Sequence, residues 1–162
     1  MKLRALTLLA FLAGAAGCVA SPAVLRPTGV GAVAFGASLA ETELMVGEKA
    51  ADLSADPACR YVEFGSMPGI RFTVVDGVIS RADAGPGVSN TLGVALGDTT
   101  ESVTSLYPDV DVRRDGDTFG GSHLVFFDAG GRHAIVLQAA GNKIIGIRAG
   151  LSNAVGSPQG CP

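Results

Sequence analysis

Two histidines, His123 and His133, open successive strand-like runs, so a hairpin would set their imidazoles near one another. Paired imidazoles can hold Zn²⁺, but a catalytic zinc site takes three protein ligands plus water, and no thiolate or carboxylate at ligand spacing supplies the third. Surface histidines are the preferred reading, and no metal is expected. Asp109, Asp111, Asp115 and Asp117 cluster around Arg113 and Arg114, which invites a Ca²⁺ loop. Counting from Asp109, however, Arg113 stands where an oxygen ligand is needed and Gly120 stands where a closing Glu belongs, so a solvated acidic loop is expected. Nucleophilic chemistry has no support either. The chain lacks a Gly-x-Ser-x-Gly elbow, a Walker loop and a dinucleotide fingerprint. Gly120-Gly121-Ser122 runs into a strand and so lacks the helix N-terminus that would hold an anion. The expectation is a protein that is not an enzyme, with no catalytic residue and no cofactor.

The remaining polar residues at special positions belong to the elements that carry them. Ser38 with Glu41 three residues later is a capping box, and Thr99 with Glu101 marks a second helix start. Phe35-Gly36-Ala37-Ser38 and Leu96-Gly97-Asp98-Thr99 share the pattern apolar, Gly, any, Ser or Thr, and the short helices that follow stop at Gly47 and Pro108. Each is followed by strand-rich runs: 60–64, 70–75 and 78–83 after the first, then 110–113, 123–127, 133–138 and 143–148 after the second. Asp76-Gly77 between two such runs is a hairpin signal. The fold expected is α+β: two tandem repeats, each a short helical start followed by an antiparallel three- or four-stranded meander. Leu39, Leu44 and Met45, or Val103, Leu106 and Tyr107, are expected to bury each helix on the sheet. Ile70, Phe72 and Val74 form a core face, with Arg71 and Thr73 on the other, open face.

The chain has 162 residues, one domain's worth, with 48% hydrophobic residues, 6% aromatics, no Trp and 23 Gly. A net charge of −3 with no basic cluster excludes the electrostatic footprint of a nucleic-acid binder. Residues 1–17 place Lys2 and Arg4 before an apolar run and small residues, the layout of a secretory signal peptide. Ala15-Ala16-Gly17-Cys18 resembles a bacterial lipobox, which implies that Cys18 is acylated and becomes the N-terminus; an ordinary peptidase would instead release a soluble protein. The expected organisation is signal peptide 1–17, tether 18–28, tandem-repeat domain 29–150 (repeats 29–84 and 85–150) and tail 151–162. With Cys18 lipidated, Cys59 and Cys161 form an even pair for a disulfide in an oxidising compartment. The alternative leaves Cys18 paired with one of them.

The tandem unit, a Gly-x-Ser/Thr start with a short helix and then antiparallel strands, resembles the fold of the β-lactamase inhibitory protein. A single copy is similar to the small assembly lipoprotein of the outer-membrane barrel-insertion machine, and the whole resembles bacterial envelope proteins carrying this unit. The resemblance implies protein binding through the sheet, without a cofactor. The function expected is a non-catalytic protein-binding module of the bacterial cell envelope, an inhibitor or assembly accessory. It is lipid-anchored, facing the periplasm from the outer membrane, with another envelope protein as partner. The alternative is a small-molecule binder or enzyme with a site between the two repeats. Alternation puts one of Phe126 and Phe127 on the surface, and Arg71, Phe127 and His133 are the expected partner contacts.

Overall fold

The computed structural model describes residues 23–54, 56–114, 121–157 and 160–161. The expected signal peptide, Cys18, and the acidic-loop residues Asp115, Asp117 and Gly120 lie outside them. Strands β1 (Leu25–Arg26), β2 (Gly29–Val30) and β3 (Val33–Ala34) form a small antiparallel sheet, and helix α1 (Leu39–Val46) follows. Then come β4 (Ala51–Asp52), β5 (Cys59–Glu63), β6 (Ile70–Val75) and β7 (Val78–Ala84). Helix α2 (Thr100–Leu106) precedes β8 (Asp111–Arg114), β9 (Gly121–Phe127), β10 (His133–Ala140) and β11 (Lys143–Leu151), and a single helical turn, α3 (Ser152–Val155), ends the fold. All eight strands from β4 onward join one antiparallel sheet in the order β4-β5-β6-β7-β11-β10-β9-β8.

This corrects the expected fold class. The molecule is mostly β, built on one eight-stranded sheet with a separate three-stranded one, and not two tandem α+β repeats. The seam between β7 and β11, from Ile147 opposite Ala84 to Gly150 opposite Arg81, fuses the two strand runs, so neither buries its face independently. The likeness of the two helix starts is local. Gly36 donates to the Ile79 carbonyl at 2.8 Å and Ile79 to the Ala37 carbonyl at 2.9 Å; Gly97 donates to Ile144 at 2.8 Å and Ile144 to Asp98 at 2.9 Å. Each helix start is thereby stitched to the start of a central strand. The expected tether also needs correction, because Leu25 is fully buried and its N–H donates to the Ser89 carbonyl at 2.8 Å.

Local chemistry explains the elements. Ser38 Oγ accepts from the Glu41 N–H at 3.2 Å and Glu41 returns to the Ser38 N–H at 3.3 Å, completing the capping box. Thr99 Oγ1 accepts from the Ser102 N–H at 3.0 Å. Asp76 and Gly77 sit at φ 50° and 78° between the paired Val75 and Val78, as a two-residue hairpin turn with positive φ at both positions requires. The helices bury less than expected. In α1 the inward stripe is Leu39, Thr42 and Val46, at i, i+3 and i+7, which turns Leu44 and Met45 outward to 83% and 59% exposure. Val103 of α2 and its C-cap residue Tyr107 form the inward i, i+4 pair, and Leu106 rotates off it.

The main core lies between this helical side and the sheet, where Phe64, Ile70, Phe72, Ile79, Leu124, Ile135, Leu137 and Ile144 are buried. Phe64 and Phe72 meet edge to face at 5.5 Å. The opposite face was expected to be open, but part of it is covered. Val155 of α3 packs on Val125, Ala134 and Val136, and the chain then crosses β7, β6 and β5. Arg81 donates to the Ser157 carbonyl, Cys161 N–H donates to Tyr61 Oη at 3.1 Å, and Cys161 is bonded to Cys59 with a Cα–Cα distance of 5.6 Å. The expected Cys59–Cys161 disulfide is therefore formed. Such a bridge belongs to an oxidising, exported compartment. Among the described residues, no helix is long and apolar enough to cross a membrane.

Candidate functional site

Strand alternation places a polar row on the tail-covered face. Arg81 grips Asp83 through both Nε, 3.0 Å from Oδ2, and Nη2, while its third nitrogen holds the tail. Arg148, opposite Asp83 across the seam, donates from Nη1 to Gln138 Oε1 at 3.2 Å and from Nη2 to His123 Nε2 at 3.0 Å. A guanidinium has only donors, so Nε2 of His123 must be the acceptor and carries no proton in this contact. Arg81 and Arg148 are each only 3% exposed. A buried charge is tolerated when it is paired and hydrogen-bonded, and these contacts hold the row to the sheet. The row's geometry is that of a structural network.

The two histidines do not meet. His123 faces Gln138 on the neighbouring strand and is buried, contrary to the expected surface position, whereas His133 lies opposite Leu151 at the far end of β10. His133 Nδ1 is 2.8 Å from Asp128 Oδ2, and Asp128 Oδ1 accepts from the N–H groups of Arg132 at 2.9 Å and His133 at 3.2 Å. The His133 side-chain hydrogen bond, helped by the His133 and Arg132 backbone bonds, holds the Asp128 carboxyl below its ordinary range. Among the described residues, no group of three His, Cys, Asp or Glu is placed to hold a metal.

A different surface stands out at the end of the sheet. Between the end of α2 and the β8–β9 edge runs an open groove of about 530 Å³, lined by Leu106 to Asp111 on one side and Val125 to Phe127 on the other. Tyr107 forms its floor support: its hydroxyl donates to the Leu92 carbonyl at 2.9 Å and its ring meets Phe126 edge to face at 5.2 Å. Phe126 thus packs against the core and Phe127 is left 43% exposed, as alternation requires of two neighbouring aromatics on a strand. Arg113 lies over the Phe127 ring at 5.3 Å. Leu106 is 72% exposed on the groove's rim. From the sequence it is expected on the buried face; the inward Val103 and Tyr107 pair is the signal that turns it outward.

The three expected contacts do not form one patch. Arg71 is exposed and stacks over Tyr61 at 4.8 Å, on β6. Phe127 shares that face but lies on β9, with β7, β11 and β10 between them, roughly 19 Å away at the usual strand spacing. His133 is half-buried at the end of the sheet and engaged with Asp128. A second cavity, of about 290 Å³, is lined by residues among Gly85–Leu96 and by Ile147, all within the 85–150 segment and not between the two expected repeats. It holds no ionisable side chain, and Asn90 in its wall is spent on the loop, donating to the Val94 carbonyl at 2.7 Å and accepting from Leu92 N–H at 3.0 Å.

No protein-family model matches the sequence, and no curated protein is significantly similar to it. Among solved structures the fold is similar to the uncharacterised protein YfeY from Escherichia coli. The match has 17% identity and a TM-score of 0.50, covering 79% of this chain and 99% of that one. At that identity the likeness is one of fold alone.

Proposed function

We propose that this chain is a non-catalytic binding module of the bacterial cell envelope, an inhibitor or assembly accessory, that receives another envelope protein in the groove beside α2. The observation that carries this reading is the pair of exposed apolar side chains, Leu106 at 72% and Phe127 at 43%, flanking one open groove of about 530 Å³. Grouped apolar exposure of this kind marks contact surfaces, and a large aromatic beside an Arg is the usual composition of a binding anchor. Arg71 and His133 serve as outlying contacts. The lipobox-like Ala15-Ala16-Gly17-Cys18 supports attachment through an acylated Cys18 on the outer membrane, facing the periplasm; intact-mass analysis of the membrane-bound protein reads the lipid directly.

The test is affinity capture from native envelope with Leu106→Ser and Phe127→Ala, each checked by thermal melting. Truncating an anchor costs about 2 kcal/mol or more of binding, a loss of roughly thirtyfold in affinity. Both variants are expected to keep their melting temperature and lose the captured protein, while Arg71→Ala and His133→Ala lose less. Undiminished capture by stable Leu106→Ser and Phe127→Ala variants, or turnover by the purified protein, overturns the reading.

A further inference from the structure

The eight-stranded sheet has two edges, and they differ. β4 has two residues, with Asp52 bound to Arg60 at 3.2 Å on the neighbouring strand. β8 has four residues, and among the described residues its only strand neighbour is β9, so its outer row of N–H and C=O groups faces away from the sheet. Such a row is a template for another strand. Charged side chains ordinarily guard an edge, and charges of one sign would do so here. Asp111 and Arg113 instead have opposite signs and share a face, since Asp111 lies opposite Val125 and Arg113 opposite His123, and they are 2.9 Å apart.

We propose that β8 pairs antiparallel with β8 of a second copy of this chain, about a two-fold axis normal to the sheet, in the register that sets Asp111 of each copy opposite Arg113 of the other. The symmetry selects this register. A two-fold normal to the sheet keeps the faces of both copies aligned, so directly opposite residues must share a face and the axis must pass beside a residue paired with itself. Centring on Arg113 sets guanidinium against guanidinium, and centring on Asp111 sets carboxylate against carboxylate. Centring on Val112 sets Val112 against Val112 and places an Asp–Arg pair on each side, with four charges alternating in sign. Opposite charges directly across an antiparallel pair stabilise it, and like charges oppose it. Val112, whose neighbour Leu124 is in the main core, is 48% exposed on that side and gains an apolar partner.

Two four-residue strands with their flanking side chains make a small interface, so association is expected at roughly ten to several hundred micromolar. The experiment is sedimentation velocity of the protein purified from the envelope, over that concentration range, with four samples. The unaltered protein dimerises. Asp111→Arg, with two cations on that face of the edge, and Arg113→Asp, with two carboxylates there, stay monomeric alone at unchanged melting temperature. An equimolar mixture of these two variants dimerises, and so does the double variant Asp111→Arg/Arg113→Asp. A monomeric parent throughout the range, single variants that still dimerise, or a mixture that fails to associate when the parent does, overturns the proposal. So does a monomeric parent whose β8 amides become protected from hydrogen exchange only in envelope extract, because that puts another protein's strand on the edge.

Discussion

The β4 side of the sheet and the β8 side finish differently. On the β4 side the edge strand is two residues long, and the adjoining face is covered by a tail held at Ser157 by Arg81, at Cys161 by Tyr61, and covalently by Cys59. On the β8 side the edge is twice as long, Leu106, Val112 and Phe127 remain exposed, and a groove opens beside them. Both sides carry a capped helix stitched to a central strand, so the helices do not account for the contrast. The tail does: after α3, which packs on Val125 of β9, it turns toward β5 and away from Phe127 and β8. One side of the sheet is closed by the chain's own C-terminus, and on the other, among the described residues, the edge strand has a single strand neighbour and Val112 and Phe127 stay exposed.

Breaking the latch on the closed side has the largest expected effect. The disulfide spans 102 residues, and in the chain-entropy model a loop of about that length contributes roughly 4.7 kcal/mol. Cys59→Ser with Cys161→Ser is expected to lower unfolding free energy by about that amount in denaturant titration, and to speed hydrogen exchange on β5 and β6 more than on β8 and β9. Equal loss of protection at both ends of the sheet would remove the distinction drawn between them.

The seam between the two sides comes next. A Cβ on Gly150 would lie 2.4 Å from the Ser80 carbonyl oxygen and 2.8 Å from Arg81 Cα. Ser80 is the extra residue of a bulge, where Thr73 pairs with Arg81 and Val74 with Ile79, and that bulge brings the β7 backbone close to β11. Gly150→Ala must push the strands apart and is expected to cost about 1–3 kcal/mol in the same titration. Gly156→Ala, with nothing within 4 Å of the added carbon, is the matched control and should melt near the parent temperature.

The smallest effect belongs to the exposed side and is read through pH. Asp128 is held below its ordinary carboxyl range by the His133 side chain, with backbone help from His133 and Arg132. A carboxyl with a depressed folded pKa favours folding when ionised, so its contribution is present above the ordinary range, near about pH 4, and is lost as pH falls through the lower folded value. Asp128→Asn is therefore expected to melt below the parent at neutral pH, with the two melting curves converging in acid. A difference that stays constant from neutral to acidic pH would show that the charge plays no part.

Much of this was legible residue by residue. The caps at Ser38 and Thr99, the Asp76-Gly77 turn, the strand runs and the split between Phe126 and Phe127 are local. Each depends on hydrogen bonds within a few residues or on the period-2 alternation of one strand, and the chain's own order carries that information. Even the Cys59–Cys161 bridge could be expected once Cys18 was assigned to a lipid, although the sequence also allowed Cys18 to pair with one of them. The pairing of β7 with β11 could not, because backbone ladders are formed by groups common to all residues, and alternation says which face a residue takes without naming the neighbouring strand. That pairing turned two expected repeats into one eight-stranded sheet. It also decided which apolar side chains stayed outside: Leu44, Met45 and Leu106 have the hydrophobicity of core residues, but short helices docked at their first turns present only one stripe inward. Local residue order is enough to say where chain segments bend, extend and coil. The path of the tail over the sheet was settled by tertiary contacts, the Cys59–Cys161 bridge among them, since these join residues about a hundred positions apart.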